Sequence, residues 1–133
     1  MFSITGWEAL RALAQWDSVL HTRLTFHDMV TEGDTVFANV AESNDWLSAF
    51  GIEELTHPTT LVIFRDGAIL RIESETDTAG TNAIQRSLDA VLEWAIVEHP
   101  QTVRDLVSEA GFRYNAESAH RWLRLLEEWK NAP

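Results

Sequence analysis

Glu42 follows Val36, Ala38 and Val40 in strict alternation, so on a strand its carboxylate shares a face with three apolar side chains. A titratable group with apolar neighbours is the arrangement that shifts a pKa and suits general acid or base chemistry. Asn44 continues the same row and can orient a carbonyl group, the alternative for both residues being a strand end in open solvent. His27 supplies an imidazole, the natural proton shuttle near neutral pH. It stands opposite Phe26 on its strand, so its ring either enters a site or stays at the surface or in a hydrogen-bonded core position. Trp7, Trp46 and Phe50 are candidate pocket walls, whereas Trp94, Trp122 and Trp129 read as core-filling residues.

The remaining titratable groups read as structural. His57 precedes Pro58 at the entrance to a strand, and His21, His99 and His120 stand at helix ends or on polar faces without a second ligand at a metal-binding interval, so no catalytic metal is expected. Glu73, Glu75 and Asp77 alternate on one side of a strand end with Ile69 and Arg71, a pattern that ordinary solvation or an ion-pair ladder explains. The chain has no cysteine, which removes disulfides, thiol catalysis and thiolate metal sites. Its six glycines form neither a dinucleotide nor a P-loop motif, and no nucleophile elbow or H-E-x-x-H is present, so no cofactor is expected.

The elements that must position these groups follow from periodicity. Trp7, Leu10, Leu13, Ala14, Val19 and Leu20 recur at helical spacing after Thr5-Gly6-Trp7-Glu8, which has the form of a capping box. From residue 23 the period falls to two, predicting strands over 24–30, 35–44, 55–65 and 68–75, with turns at Gly33-Asp34 and at Asp66-Gly67. Strict alternation puts Leu24, Phe26, Asp28 and Val30 on one side of the first strand. Residues 77–81 read as a linker before a helix carrying Ile84, Leu88, Val91 and Ala95. His99-Pro100 separates it from a short helix with Gly111 as its C-cap, and Asn115 is an N-cap for a final helix carrying Ala119, Trp122 and Leu126. Helix, four strands and three helices predict a single α+β domain over 1–133, a curved antiparallel sheet in 1–81 roofed by a helical lid in 82–133. A sheet curved in this way and closed by helices makes a cone, and a cone that is not filled leaves a pocket.

Length and charge narrow the class of partner. A chain of 133 residues with 45% hydrophobic content can bury a core of its own. The formal charge of −11, from 21 acidic against 10 basic side chains, repels a phosphate backbone, so nucleic acid is not an expected partner. No run approaches the roughly 18 apolar residues of a membrane span, and the expected location is cytoplasmic.

Five pieces of the chain recur in a known order: Gly6-Trp7-Glu8-Ala9-Leu10-Arg11, Gly33-Asp34-Thr35-Val36, Gly51-Ile52, Phe64-Arg65-Asp66-Gly67-Ala68-Ile69, and the acidic Asp77. Together they resemble the SnoaL-like branch of the nuclear transport factor 2-like superfamily. The resemblance implies a polar-tipped apolar pocket for a small hydrophobic ligand, in a family whose members include polyketide cyclases with an Asp–His pair and epoxide hydrolases with an Asp-Arg-Asp set. The hydrolase positions fall near Ala41, Ser43 and Ser74, so that set is not carried here. The helices that usually precede the matching glycine are missing. Residues 82–133 are expected to supply their cover, within the chain or exchanged with a dimer mate, a shortened start being the other explanation.

The expectation from the sequence is therefore a small-molecule-binding domain, packed as a homodimer through the outer face of its sheet. As an enzyme it would be a cyclase, isomerase or hydrolase using Glu42 and His27 on a hydrophobic or carbonyl-containing substrate. A non-catalytic ligand-binding module and a protein-interaction adaptor are the alternatives.

Overall fold

The computed structural model describes residues 2–108 and 111–133. Strand β1 (Phe2–Thr5) leads into helix α1 (Trp7–Val19), and then the alternating stretch forms two hairpins, β2 (Arg23–Glu32) with β3 (Thr35–Ser43) and β4 (Leu55–Arg65) with β5 (Ala68–Glu75), separated by the short helix α2 (Asp45–Ala49). Helices α3 (Thr78–Glu98), α4 (Pro100–Leu106) and α5 (Ala116–Lys130) follow, with the two-residue strands β6 (Val107–Ser108) and β7 (Gly111–Phe112) between the last two. The fold is α+β: one five-stranded antiparallel sheet in the order β1-β5-β4-β3-β2, with helices packed on it. Among the described residues no helix is long and apolar enough to cross a membrane.

Turn chemistry sets the hairpins. Asp66 and Gly67 both take positive φ, 52° and 78°, the combination that matches the twist of the strands they join. Curvature comes from three register shifts, one in each of the β2–β3, β3–β4 and β4–β5 pairings, because an extra residue on one strand bends it and raises its twist. In β2 the extra residue lies at Asp28–Met29, where Asp28 has φ 54°. Val30 therefore stands on the same side as His27, not with Leu24 and Phe26 as strict alternation required.

Three local expectations are corrected. Thr5 does not cap α1, because its backbone belongs to the β1–β5 ladder opposite Arg71; Gly6, at φ 93°, makes the turn, and its N–H donates to Leu70 O at 3.0 Å. Residues 77–81 are not a linker: the Asp77 side chain accepts from Gly80 N at 2.7 Å, and α3 starts at Thr78. Gly111 does not cap α4, which ends at Leu106 with Val107 extended; Gly111 opens β7.

The core lies between the helices and the sheet. Trp122, Leu126 and Ala119 of α5 are buried with Trp16 and Leu20 at the end of α1, Leu88, Val91 and Ala95 of α3, and Trp46 and Leu47 of α2. Trp94 and Trp129 pack against this cluster while partly exposed. Helix α5 starts at a fixed point because Asn115 accepts from Ser118 N at 2.8 Å and donates its own N–H to Ser118 Oγ at 3.1 Å, a reciprocal cap. Replacing Asn115 by Ala should lower unfolding stability by about 1 kcal/mol in urea titration, while leaving the slope of the transition unchanged.

Candidate functional site

The site is built by an irregularity in β4. Ala38 pairs with Thr60 and Val40 with His57, so Pro58 and Thr59 together oppose the single residue Asn39. The extra residue reverses the inward parity of the strand. Thr60 and Val62 face the sheet's covered side above the bulge, and Leu55 and His57 face it below. Proline is tolerated there because a bulge leaves a residue unpaired, so the N–H it lacks costs no ladder bond.

Turned inward, His57 meets Glu42 diagonally across the strand pair. Its Nε2 lies 2.8 Å from Glu42 Oε1, and its Nδ1 lies 3.0 Å from Thr76 Oγ1, on the segment just after β5. An ionised carboxylate only accepts, which assigns a hydrogen to Nε2. The second carboxylate oxygen, Oε2, accepts from Asn44 Nδ2 at 3.3 Å. Asn44 is itself held, because its Oδ1 accepts from Leu47 N at 2.8 Å as the cap of α2. Glu42 is thus fixed between a ring clamped by Thr76 and an amide clamped by a helix start.

These groups form one wall of a cavity of about 330 Å³ between the sheet and helices α1, α2 and α3. Much of the remaining lining is aromatic. Trp16, Trp46, Phe112, Tyr114 and Phe2 form one connected cluster, with Trp16 and Phe2 meeting Tyr114 edge to face at 5.3 and 5.5 Å between ring centroids. Ile84, Phe112 and Tyr114, all from the chain beyond the sheet, take part in this lining. Leu24 and Phe26 line the cavity yet remain 47% and 42% exposed, which puts its opening along edge strand β2.

A second carboxylate shares the cavity. Asp17, in the last turns of α1 beside Leu13 and Trp16, is pushed up from 3.8 to about 6 by burial, with the negative charge of Glu42 adding to the rise and the Thr22 hydroxyl opposing it. Burial and the same Glu42 charge raise the Tyr114 phenol, which keeps its proton and so remains a donor on the aromatic wall. Among the described residues no cluster of three or more His, Asp or Glu is arranged to hold a metal ion.

The residues singled out from the sequence divide. Glu42, Asn44 and Trp46 line the cavity together, though both ends of the Asn44 side chain are engaged with protein, so it positions Glu42 instead of facing a ligand carbonyl. Phe50 stands behind the wall, edge to face with Trp46 at 4.8 Å. Trp7 is 75% exposed at the start of α1 and lines nothing here. His27 does not enter the cavity: it is exposed on β2, on the face opposite Phe26. The imidazole that meets Glu42 is His57, which sequence reasoning set aside as structural. Pro58 inside an otherwise regular strand was the signal for the bulge that turns it. Asp17 was also missed. Its signal was a charge at i+4 from Leu13 and directly after Trp16, on the apolar side of α1.

No protein-family model, curated protein or solved structure matches this chain.

The raised Asp17 has a consequence for stability. An acid whose folded pKa lies above its unfolded value stabilises the fold in its protonated form, fully below pH 3.8, and this contribution is lost as pH rises to about 6. Asp17→Asn should therefore change little at pH 4 and stabilise the protein at pH 7.5 and above. The gain should be about 1–2 kcal/mol, less than the full shift implies because the carboxyl keeps part of its hydration. Parallel urea titrations at the two pH values measure it.

Proposed function

We propose that this chain is a small-molecule-binding protein whose cavity performs acid–base chemistry on a hydrophobic substrate, in the manner of a cyclase, isomerase or hydrolase. The observation that carries this reading is the 2.8 Å contact between Glu42 and His57 at the wall of an apolar cavity of about 330 Å³. Glu42 is the base: two hydrogen bonds fix its position, and each oxygen keeps a lone pair free to take a proton. His57 positions it, and Tyr114 supplies a neutral donor for oxygen charge that develops on the substrate. The cone-shaped reading of the sheet and the similarity to SnoaL-like proteins belong to the same proposal, and a curved sheet with helices on it supports both.

A non-catalytic binding module is favoured by one specific feature, namely that both ring nitrogens of His57 and both oxygens of Glu42 already have partners within the protein. A substrate chosen for its mechanism separates the two readings. Ring opening of 5-nitrobenzisoxazole needs only removal of its ring proton, after which the N–O bond breaks to give a coloured phenolate. The protein should accelerate this reaction over an equal concentration of acetate, and Glu42→Gln should lower the rate by about 100-fold or more. Binding of the compound without acceleration would leave the module standing and remove the base.

We also propose a homodimer through the outer face of the sheet. Val30, 56% exposed, pairs with Phe37, which pairs with Leu61, giving an apolar row across three strands on the side away from the cavity. Leu61→Glu should convert a dimer to a monomer in sedimentation equilibrium, with the secondary structure unchanged by circular dichroism; a wild-type monomer at high concentration would sink the dimer.

A further inference from the structure

The cavity's charge and its walls do not match. It holds two carboxylates, Asp17 and Glu42, and among the described residues no lysine or arginine lines it. Glu42 has His57 as a partner, whereas among the described residues Asp17 takes part in no ion pair: the acidic groups so engaged there are Glu42, Asp45, Glu73, Asp105, Glu117 and Glu128. Around the two carboxylates stand the rings of Trp16, Trp46, Phe112 and Tyr114, whose faces attract a positive charge. A neutral ligand would leave Asp17 uncompensated in an apolar enclosure, and an anion would add a like charge to two already present.

We infer that the ligand of this cavity is a hydrophobic cation, an aryl or alkyl amine whose ammonium group sits between Asp17 and Glu42 with its apolar body against the aromatic wall. This deepens the reading above and rests on it, since it names the class of molecule that enters the same cavity. A chain charge of −11 favours the approach of a cation over that of an anion. The opening along β2, rimmed by the apolar Leu24 and Phe26, suits a molecule with an apolar body. The titratable groups facing Asp17 are Glu42 from β3, His57 from β4 and Tyr114 from the segment before α5. Protonation of Asp17, whose carboxyl burial pushes up to about 6, subtracts negative charge from the site, so affinity for the cation rises with pH from 5 to 7.5.

Three molecules with one ring system and different charge test this: 2-(aminomethyl)naphthalene, 2-naphthalenemethanol and 2-naphthoate, titrated calorimetrically into the wild-type chain at pH 7.5. The amine is expected to bind at least tenfold more tightly than the alcohol, and the carboxylate more weakly than either. That preference should shrink at pH 5 and disappear in the Asp17→Asn, Glu42→Gln double variant, with the alcohol's affinity retained as the control for folding. Equal binding of amine and alcohol would overturn the cation and leave the small-molecule reading intact. Binding of none of the three would overturn both. A preference for the amine that persists in the double variant would also overturn the inference, since the charge would then come from elsewhere.

Discussion

One extra residue in β4 decides whether this protein has a polar site. If β4 paired with β3 without the shift at Pro58–Thr59, alternation from Thr60 would place Pro58 and Thr56 on the inner face and turn His57 out. Glu42 would then keep its place with no ring to hold it, and Thr76 would have no imidazole to clamp. Bulges recur beside functional sites because they re-aim a side chain without disturbing the rest of the ladder. Here the same device also bends the strand. The bulge that sets the geometry of the site is thus also one of the three irregularities that curve the sheet.

Electrostatics inside the hollow run against stability. Two carboxylates placed in one apolar enclosure repel each other and lose hydration, and the rise of Asp17 to about 6 expresses that cost. Elsewhere the chain handles acidic residues in ordinary ways. Arg71 pairs with Glu73 on the outer face of β5, and Arg121 pairs with Asp105 and Glu117 at 2.8 Å each beside α5. With ten basic side chains in the chain, the lack of an ion pair to Asp17 among the described residues reflects its position and not a shortage of cations. Groups kept in unfavourable surroundings of this kind are characteristic of sites that bind or react.

The four central strands were legible because their period is two and their turns are chemically explicit: β4 and β5 match the expected 55–65 and 68–75, and β3 ends one residue short of 44. Strand β1 was not, since four residues carry too little alternation and its partner, β5, lies far along the chain. Glu42 and Asn44 were placed by alternation, since no register shift separates Glu42 from Val40, whereas Trp46, in α2, was singled out only as an aromatic side chain. His27 and His57 differ in what alternation says of them. His27 stays on the face opposite Phe26, where alternation puts it, because the bulge in β2 lies beyond it, whereas the bulge after His57 in β4 turns that ring to the inner face against the alternation running from Thr60. Asp17 shows in a local window only as a charge on the apolar side of α1, and Tyr114 reaches the cavity through packing between elements distant in sequence, which no local window contains.

The size of the cavity bears on what fills it. Empty apolar space in a core costs about 24 cal/mol per Å³ of void, so a dry volume of about 330 Å³ would cost several kcal/mol, comparable with the entire stability of a domain of this size. The opening along β2 admits water, which avoids that cost only where it finds partners. Water has partners along the polar wall, where Glu42, Asn44, His57 and Thr76 form a continuous chain of hydrogen bonds, and few along the aromatic wall of Trp16, Trp46 and Phe112. The two walls therefore want different things: one a polar or charged group, the other an apolar body that replaces poorly bonded water. Water bonds well along one wall and poorly along the other. The bulge in β4, which turns His57 inward, and the placement of α1, which brings Trp16 and Asp17, together decide how the two walls meet.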